Sequence, residues 1–116
     1  MYRSDSPEEA APSGPAPTVM AGIVHLRCIE ARYNGGDVIL APHVFFMKND
    51  APHVGATTIE RDGKPPREEK IGIFKLDGLT GLRLTDRPFT PSPVFEPEDL
   101  RFVETKLLAV ELAKAA

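Results

Sequence analysis

From Ile73 to Leu79, and again from Leu82 to Phe89, apolar and polar residues alternate on either side of a short glycine-containing turn. A period of two is what half-buried strands require. The same criterion, with enrichment in β-branched and aromatic residues, predicts five strands over residues 26–33, 38–47, 54–60, 70–76 and 82–85. Turn chemistry falls between them. Asn34-Gly35-Gly36-Asp37 is a strong turn signal because Asn and Gly accept positive φ, and Lys48-Asn49-Asp50 supplies another. Pro42 inside the second run predicts an edge position or a bulge, and residues 61–69 read as an exposed, flexible connection. Val38, Leu40, Phe74, Leu76, Leu82 and Leu84 are the expected core, which turns Lys75 outward. Pro88, Pro91 and Pro93 end the sheet pattern.

Two segments flank the strands. Residues 1–17 are rich in Pro, Ser, Ala and Glu with few large apolar side chains. They read as a disordered tail, with Thr18 as the N-cap of a short helix leading into the first strand. Residues 18–96 form the expected globular domain. Residues 97–116 read as a closing helix, with Pro97 at its first position, Glu98 and Asp99 in the first turn and Lys114 in the last. Leu100, Val103, Leu107 and Val110 make one stripe, while Leu108, Leu112 and Phe102 point elsewhere. Those three are the expected interface of a homodimer or partner-protein contact through this helix.

The 116 residues provide for one small domain, and 41% hydrophobic content supports a real core despite 12 prolines and no tryptophan. No apolar run approaches the roughly 20 residues that span a bilayer, so no membrane contact is expected. Cys28 is the sole cysteine, which excludes an internal disulfide and fits a reducing compartment, with the cytoplasm as the default. Net charge is −3. Residues 1–17 carry Arg3 against three acids, and residues 97–116 carry three bases against four acids. Residues 18–96 balance ten against ten. A neutral middle lacks the basic excess of a protein held on nucleic acid mainly through phosphates.

Candidate chemistry is sparse. Ala41-Pro42-His43-Val44 and Ala51-Pro52-His53-Val54 are identical quartets ten residues apart. Two histidines on neighbouring strands suggest zinc, but a tetrahedral site needs three or four protein ligands, which only His25 and Cys28 would complete. No metal or cofactor is therefore assigned. Cys28 lacks a basic neighbourhood and reads as a small core residue. Ser92, between two prolines, lacks a nucleophile-elbow motif. Asp77 reads as a turn-stabilising acceptor near Gly78. No enzyme activity is expected.

The order of these pieces resembles the WYL-domain family over about residues 26–91. The resemblance rests on Ile29-Glu30-Ala31-Arg32-Tyr33, on Val38-Ile39-Leu40-Ala41-Pro42-His43, and on Pro52-His53-Val54 at the place of the family's Trp-Tyr-Leu triplet. Phe74-Lys75-Leu76-Asp77-Gly78-Leu79 stands at its Phe-Arg-x-Asp-Arg-Ile signature, followed by Leu82-Arg83-Leu84-Thr85-Asp86. The signature arginines are here Lys75 and Gly78, and lysine keeps charge without the planar fork of arginine. The resemblance implies a mainly β fold, a small SH3-like or Sm-like five-stranded barrel, here with a C-terminal α-helix. It also implies a stand-alone regulatory module that binds an anionic small molecule or short single-stranded nucleic acid and signals to a partner. His43, His53 and Lys75 then occupy ligand-facing positions, which Arg32 and Lys48 extend. The alternative is a non-enzymatic interaction module that has lost the ligand and assembles through its C-terminal helix.

Overall fold

A computed structural model describes residues 14–111 of the chain. Helix α1 (Pro15–His25) leads into strands β1 (Arg27–Tyr33), β2 (Gly36–Lys48), β3 (Ala51–Arg61) and β4 (Ile71–Lys75). A 3₁₀ turn over Leu76–Gly78 connects β4 to β5 (Thr80–Pro88), and β6 (Lys106–Ala109) follows a second 3₁₀ turn at Val103–Thr105. All six strands form one antiparallel sheet in the order β4-β3-β2-β1-β5, with β6 against the second half of β2. The mainly β expectation holds, and the five expected strands are β1–β5. The sheet does not close on itself, because β4 and β5 remain its two ends.

Local chemistry explains the hairpins. Asn34 and Gly35 have φ of 50° and 79°, and Asn49 and Asp50 have 53° and 61°. Positive φ at both central residues matches the twist of the flanking strands. Asp62 and Gly63 (51° and 83°) make a third such turn just after β3, closed by the Arg61–Lys64 bridge, in the segment expected to be a flexible connection.

β2 is the spine of the fold. Its first half pairs with β1, its second half with β6, and β3 runs along its other edge throughout. The change of partner falls at Pro42 and His43. Pro42 faces Ala56 while Val44 faces Gly55, so β2 carries one extra residue there. The bulge expected at Pro42 is present, although β2 is a central strand rather than an edge. An extra residue reverses the alternation downstream. Val38, Leu40 and Phe45 consequently share the inner side with Val54 and Phe74, while Val44 and Phe46 turn to the outer side with His53 and Gly55. The sheet curls around the inner side until Tyr33 on β1 meets Phe74 on β4 edge to face, with ring centroids 5.1 Å apart. Val38, Leu40, Phe74 and Leu76 are buried as expected; Leu82 and Leu84 are only half-buried, because β5 is a sheet end paired with β1 alone.

α1 begins at Pro15, whose fixed φ suits the first helical position. Residues 15–17, expected in the tail, are therefore helical, whereas residues 1–13 lie outside the described residues. Thr18 sits within the first turn rather than at the N-cap, its Oγ1 donating to Gly14 O at 2.8 Å. The helix packs tightly where Gly22 meets the bulge. A Cβ on Gly22 would stand 2.9 Å from both Arg27 O and Pro42 Cγ. Gly22→Ala is therefore expected to destabilise by about 1–3 kcal/mol through overpacking, although alanine alone would favour the helix by about 1 kcal/mol. A lower urea midpoint at unchanged slope is the predicted readout.

The closing helix expected over residues 97–116 does not form over its described part. Hydrogen-bonded turns link Ser92 to Phe95, Glu96 to Asp99 and Asp99 to Phe102, and residues 106–109 are strand. Leu112 and Lys114 lie outside the described residues. Two tertiary demands override the helical pattern. The second half of β2 needs a partner for its buried backbone groups, which β6 provides, and Phe102 is withdrawn into the core at 2% exposure while Leu100 stands 88% exposed. A symmetric contact through a C-terminal helix loses its basis with that helix.

Candidate functional site

The outer side of the sheet has two halves of opposite character. Around the first half of β2 it is charged and self-neutralised. Glu30 pairs with Arg83 at 2.8 Å, Glu60 with Arg87 at 3.0 Å, Arg32 with Asp37 at 2.8 Å and Arg27 with Asp86 at 3.3 Å. Arg32, expected to extend a ligand face, also donates to Gly35 O at 3.0 Å, so it braces its own hairpin. Exposed pairs of this kind contribute little stability, and their arginines are already occupied.

The second half is aromatic and is covered by the segment between β5 and β6. His53, Phe46, Phe102, Phe95, His43 and Phe89 follow one another in ring contact, with successive centroids 5.6, 5.5, 5.8, 5.3 and 5.1 Å apart. Strand residues and residues of the covering segment share this chain. Phe102, expected at an interface, is one of its buried members.

His43 lies beneath the cover at 0% exposure, not on the outer surface with Lys75. Its ring is fully engaged. The backbone N–H of Ser92 donates to Nε2 at 2.8 Å, which puts the proton on Nδ1, and Nδ1–H donates to Ala41 O at 2.8 Å. Its own carbonyl accepts Val110 N–H at 2.8 Å. Burial pushes its pKa below the ordinary imidazole value, partly offset by the Ala41 hydrogen bond and by the charge of Glu69. Ser92 Oγ donates in turn to the Glu69 carboxylate and accepts Val94 N–H at 3.2 Å. Serine, histidine and glutamate thus meet without forming a catalytic relay, because the imidazole binds the serine backbone and not its hydroxyl. Neither Ser92 nor Glu69 was legible as part of a cluster. The only sequence signal was a buried-type phenylalanine at each of positions 89, 95 and 102, in a segment too proline-rich for a strand.

His53 and Lys75 are directly opposite each other on β3 and β4. His53 is half-buried and stacks on Phe46, and its Nδ1–H donates to Ala51 O at 2.9 Å, while its Nε2 has no hydrogen-bond partner among the described residues. The two Ala-Pro-His-Val quartets therefore share one local motif, a ring turned back onto the carbonyl two residues earlier. Lys75 is exposed, as is Lys48 at the end of β2 beside the same hairpin turn. Among the described residues neither lysine has a carboxylate partner, whereas five arginines do. Sequence reasoning thus brought His53, Lys75 and Lys48 to one end of the sheet, but not His43 or Arg32.

The other candidates are structural. Cys28 is buried, which pushes its thiol pKa up despite nearby Arg87, so it is poorly suited to act as a nucleophile. Asp77 is exposed and has no hydrogen bond among the described residues, and the turn that Leu76 begins is held by Leu79 N–H donating to Leu76 O at 3.0 Å. Among the described residues no three His, Cys, Asp or Glu side chains come together as a metal site requires. Leu108 is half-buried on β6, where it borders a groove of about 410 Å³ with Ile23, Val24 and Leu26. No helix among the described residues is long and apolar enough to cross a membrane. Comparison of the chain with models of known protein families, with curated proteins and with solved structures finds no match.

Proposed function

We propose that this chain is a WYL-like regulatory module, built on a degenerate SH3-like barrel, which binds a nucleotide or short single-stranded nucleic acid and signals that state to a partner. The observation that carries this reading is the His53–Lys75 pair. An imidazole stacked on Phe46 and an ammonium with no carboxylate partner among the described residues stand on adjacent strands at an exposed rim. A ring surface beside a cation suits a ligand that offers both a base and a phosphate, since stacking on aromatic side chains tolerates any base. Lys48 lies at the same end of the sheet. The paired arginines of the other half add no comparable attraction, so affinity should be weak and confined to this rim.

Titration of fluorescein-labelled oligothymidylate, read by anisotropy, tests the proposal. Binding should weaken steadily with added salt, because phosphate contacts release counterions. Lys75→Ala should reduce affinity about tenfold, the loss of a single charge-assisted contact of roughly 1.4 kcal/mol. Arg83→Ala, which removes an already paired cation, should change it little. Equal losses in the two variants, or no salt-sensitive binding at all, would reject the site.

A further inference from the structure

We infer that residues 90–105 form a displaceable strap over the aromatic outer face, opening without unfolding of the sheet and thereby controlling access to the His53–Lys75 rim. The inference rests on the proposed ligand site for its consequence, but the strap itself is argued from structure alone.

The segment is organised from within. Its backbone bonds run from Phe95 to Ser92, from Asp99 to Glu96 and from Phe102 and Val103 to Asp99, and Lys106 Nζ donates to Pro97 O at 3.1 Å. It adds no strand to the sheet between β5 and β6. Its polar ties to the strands are few. The Ser92 amide reaches His43, and Arg101 Nη1 reaches Ile71 O at 3.3 Å while its guanidinium is held by Asp99. The remaining grip is the Ser92 Oγ bond to the Glu69 carboxylate, on the connection between β3 and β4, and two stacked rings, Phe95 and Phe102, set on His43 and Phe46. Both ends are fixed, by Phe89 N–H donating to Leu26 O at 3.0 Å and by β6 on β2. A segment with self-contained turns, few cross-links and two anchored ends is the kind that opens as a unit below the global unfolding free energy.

Lifting the strap would not remove the inner core. Val38, Leu40, Phe45, Val54 and Phe74 pack on the opposite side of the sheet, because the bulge at Pro42–His43 sends Phe46 outward and Phe45 inward. What lifting would uncover is the Phe46 ring that continues the His53 surface. Phe102 in the closed strap occupies the stacking position next to Phe46 that a nucleobase would take. Ligand and strap then compete, and apparent affinity falls with the fraction of open molecules.

Native-state thiol labelling of the full chain tests this without any ligand. In a Cys28→Ala background, Ser92→Cys places a buried thiol on the strap, leaves the amide bond to His43 in place and exchanges the hydroxyl bond to Glu69 for a weaker thiol one. Ala56→Cys places one on the inner side of β3, where the residue is fully buried. With Ellman's reagent, the strap thiol should react at least about tenfold faster than the inner one, and its rate should respond more weakly to urea. Arg101→Gln should accelerate the strap thiol alone. Equal rates with the same urea dependence would mean that strap and sheet open together, and would overturn the inference. Oligothymidylate supplies a separate arm. If it binds, Arg101→Gln should tighten it, and unchanged affinity beside faster labelling would overturn gating. Should it bind no variant while the strap thiol still reacts first, the ligand reading fails and the displaceable strap stands.

Discussion

Truncating Phe74 to alanine is expected to lower the unfolding free energy by about 3–5 kcal/mol, the range for removing a buried phenylalanine. The neighbouring Lys75→Ala is expected to change it by no more than about 0.5 kcal/mol, as for an exposed site without a special role. The contrast follows from register. Phe74 faces Val54 across β3 and meets the edge of Tyr33, closing the curl of the sheet, while Lys75 on the next position faces solvent beside His53. Paired urea melts of the two variants decide the matter. A large loss for Lys75→Ala with a small one for Phe74→Ala would place β4 one residue out of register.

The second large effect concerns His43. Replacing it with alanine removes a fully buried ring and leaves the Ser92 amide and the Ala41 carbonyl without their partners. A cavity and an unsatisfied donor together should cost about 2–4 kcal/mol. The same geometry gives a pH dependence of known sign. Protonation puts a hydrogen on Nε2, where the Ser92 N–H already points, so the folded state resists it and the folded pKa lies below the unfolded value. The unfolded chain therefore binds the proton first as pH falls. Stability should be fully present above about 6.5, and be lost progressively as pH falls through the depressed folded value. Chemical denaturation between pH 7.5 and 5 should show this decline in the wild type. In His43→Gln the histidine contribution should disappear, leaving a shallower profile; an unchanged slope would contradict the role assigned to His43.

Strands β1–β5 were legible because their signals are local. Asn34-Gly35 and Asn49-Asp50 mark tight turns, and the alternation around Phe74 fixes which side chains face inward. The bulge was legible in part. Pro42 announces an interruption of the ladder, but nothing in the sequence says that the extra residue reverses Phe45 and Phe46, or that it draws His43 beneath a cover. The C-terminal segment was misread for a different reason. Leu100, Val103, Leu107 and Val110 have helical spacing and Pro97 sits at a good helix start, yet β6 satisfies β2 through pairing across 60 residues or more. Long-range pairing outweighs a helix propensity of tenths of a kcal/mol per residue. The candidate site followed the same division. The relation of His53 and Lys75 follows from pairing of neighbouring strands, whereas Ser92, Glu69 and the aromatic chain exist only because the strap returns to the sheet.

The most direct measurement for the central claim is a backbone and side-chain NMR titration of the full chain with oligothymidylate at low salt. Shifts should concentrate at His53, Lys75, Lys48 and the Phe46 ring, with smaller changes in the strap at Phe95 and Phe102, and should vanish at high salt. Shifts gathered instead on the ion-paired half around Glu30, Arg83 and Arg87, or their complete absence, would contradict a ligand site at the His53–Lys75 rim.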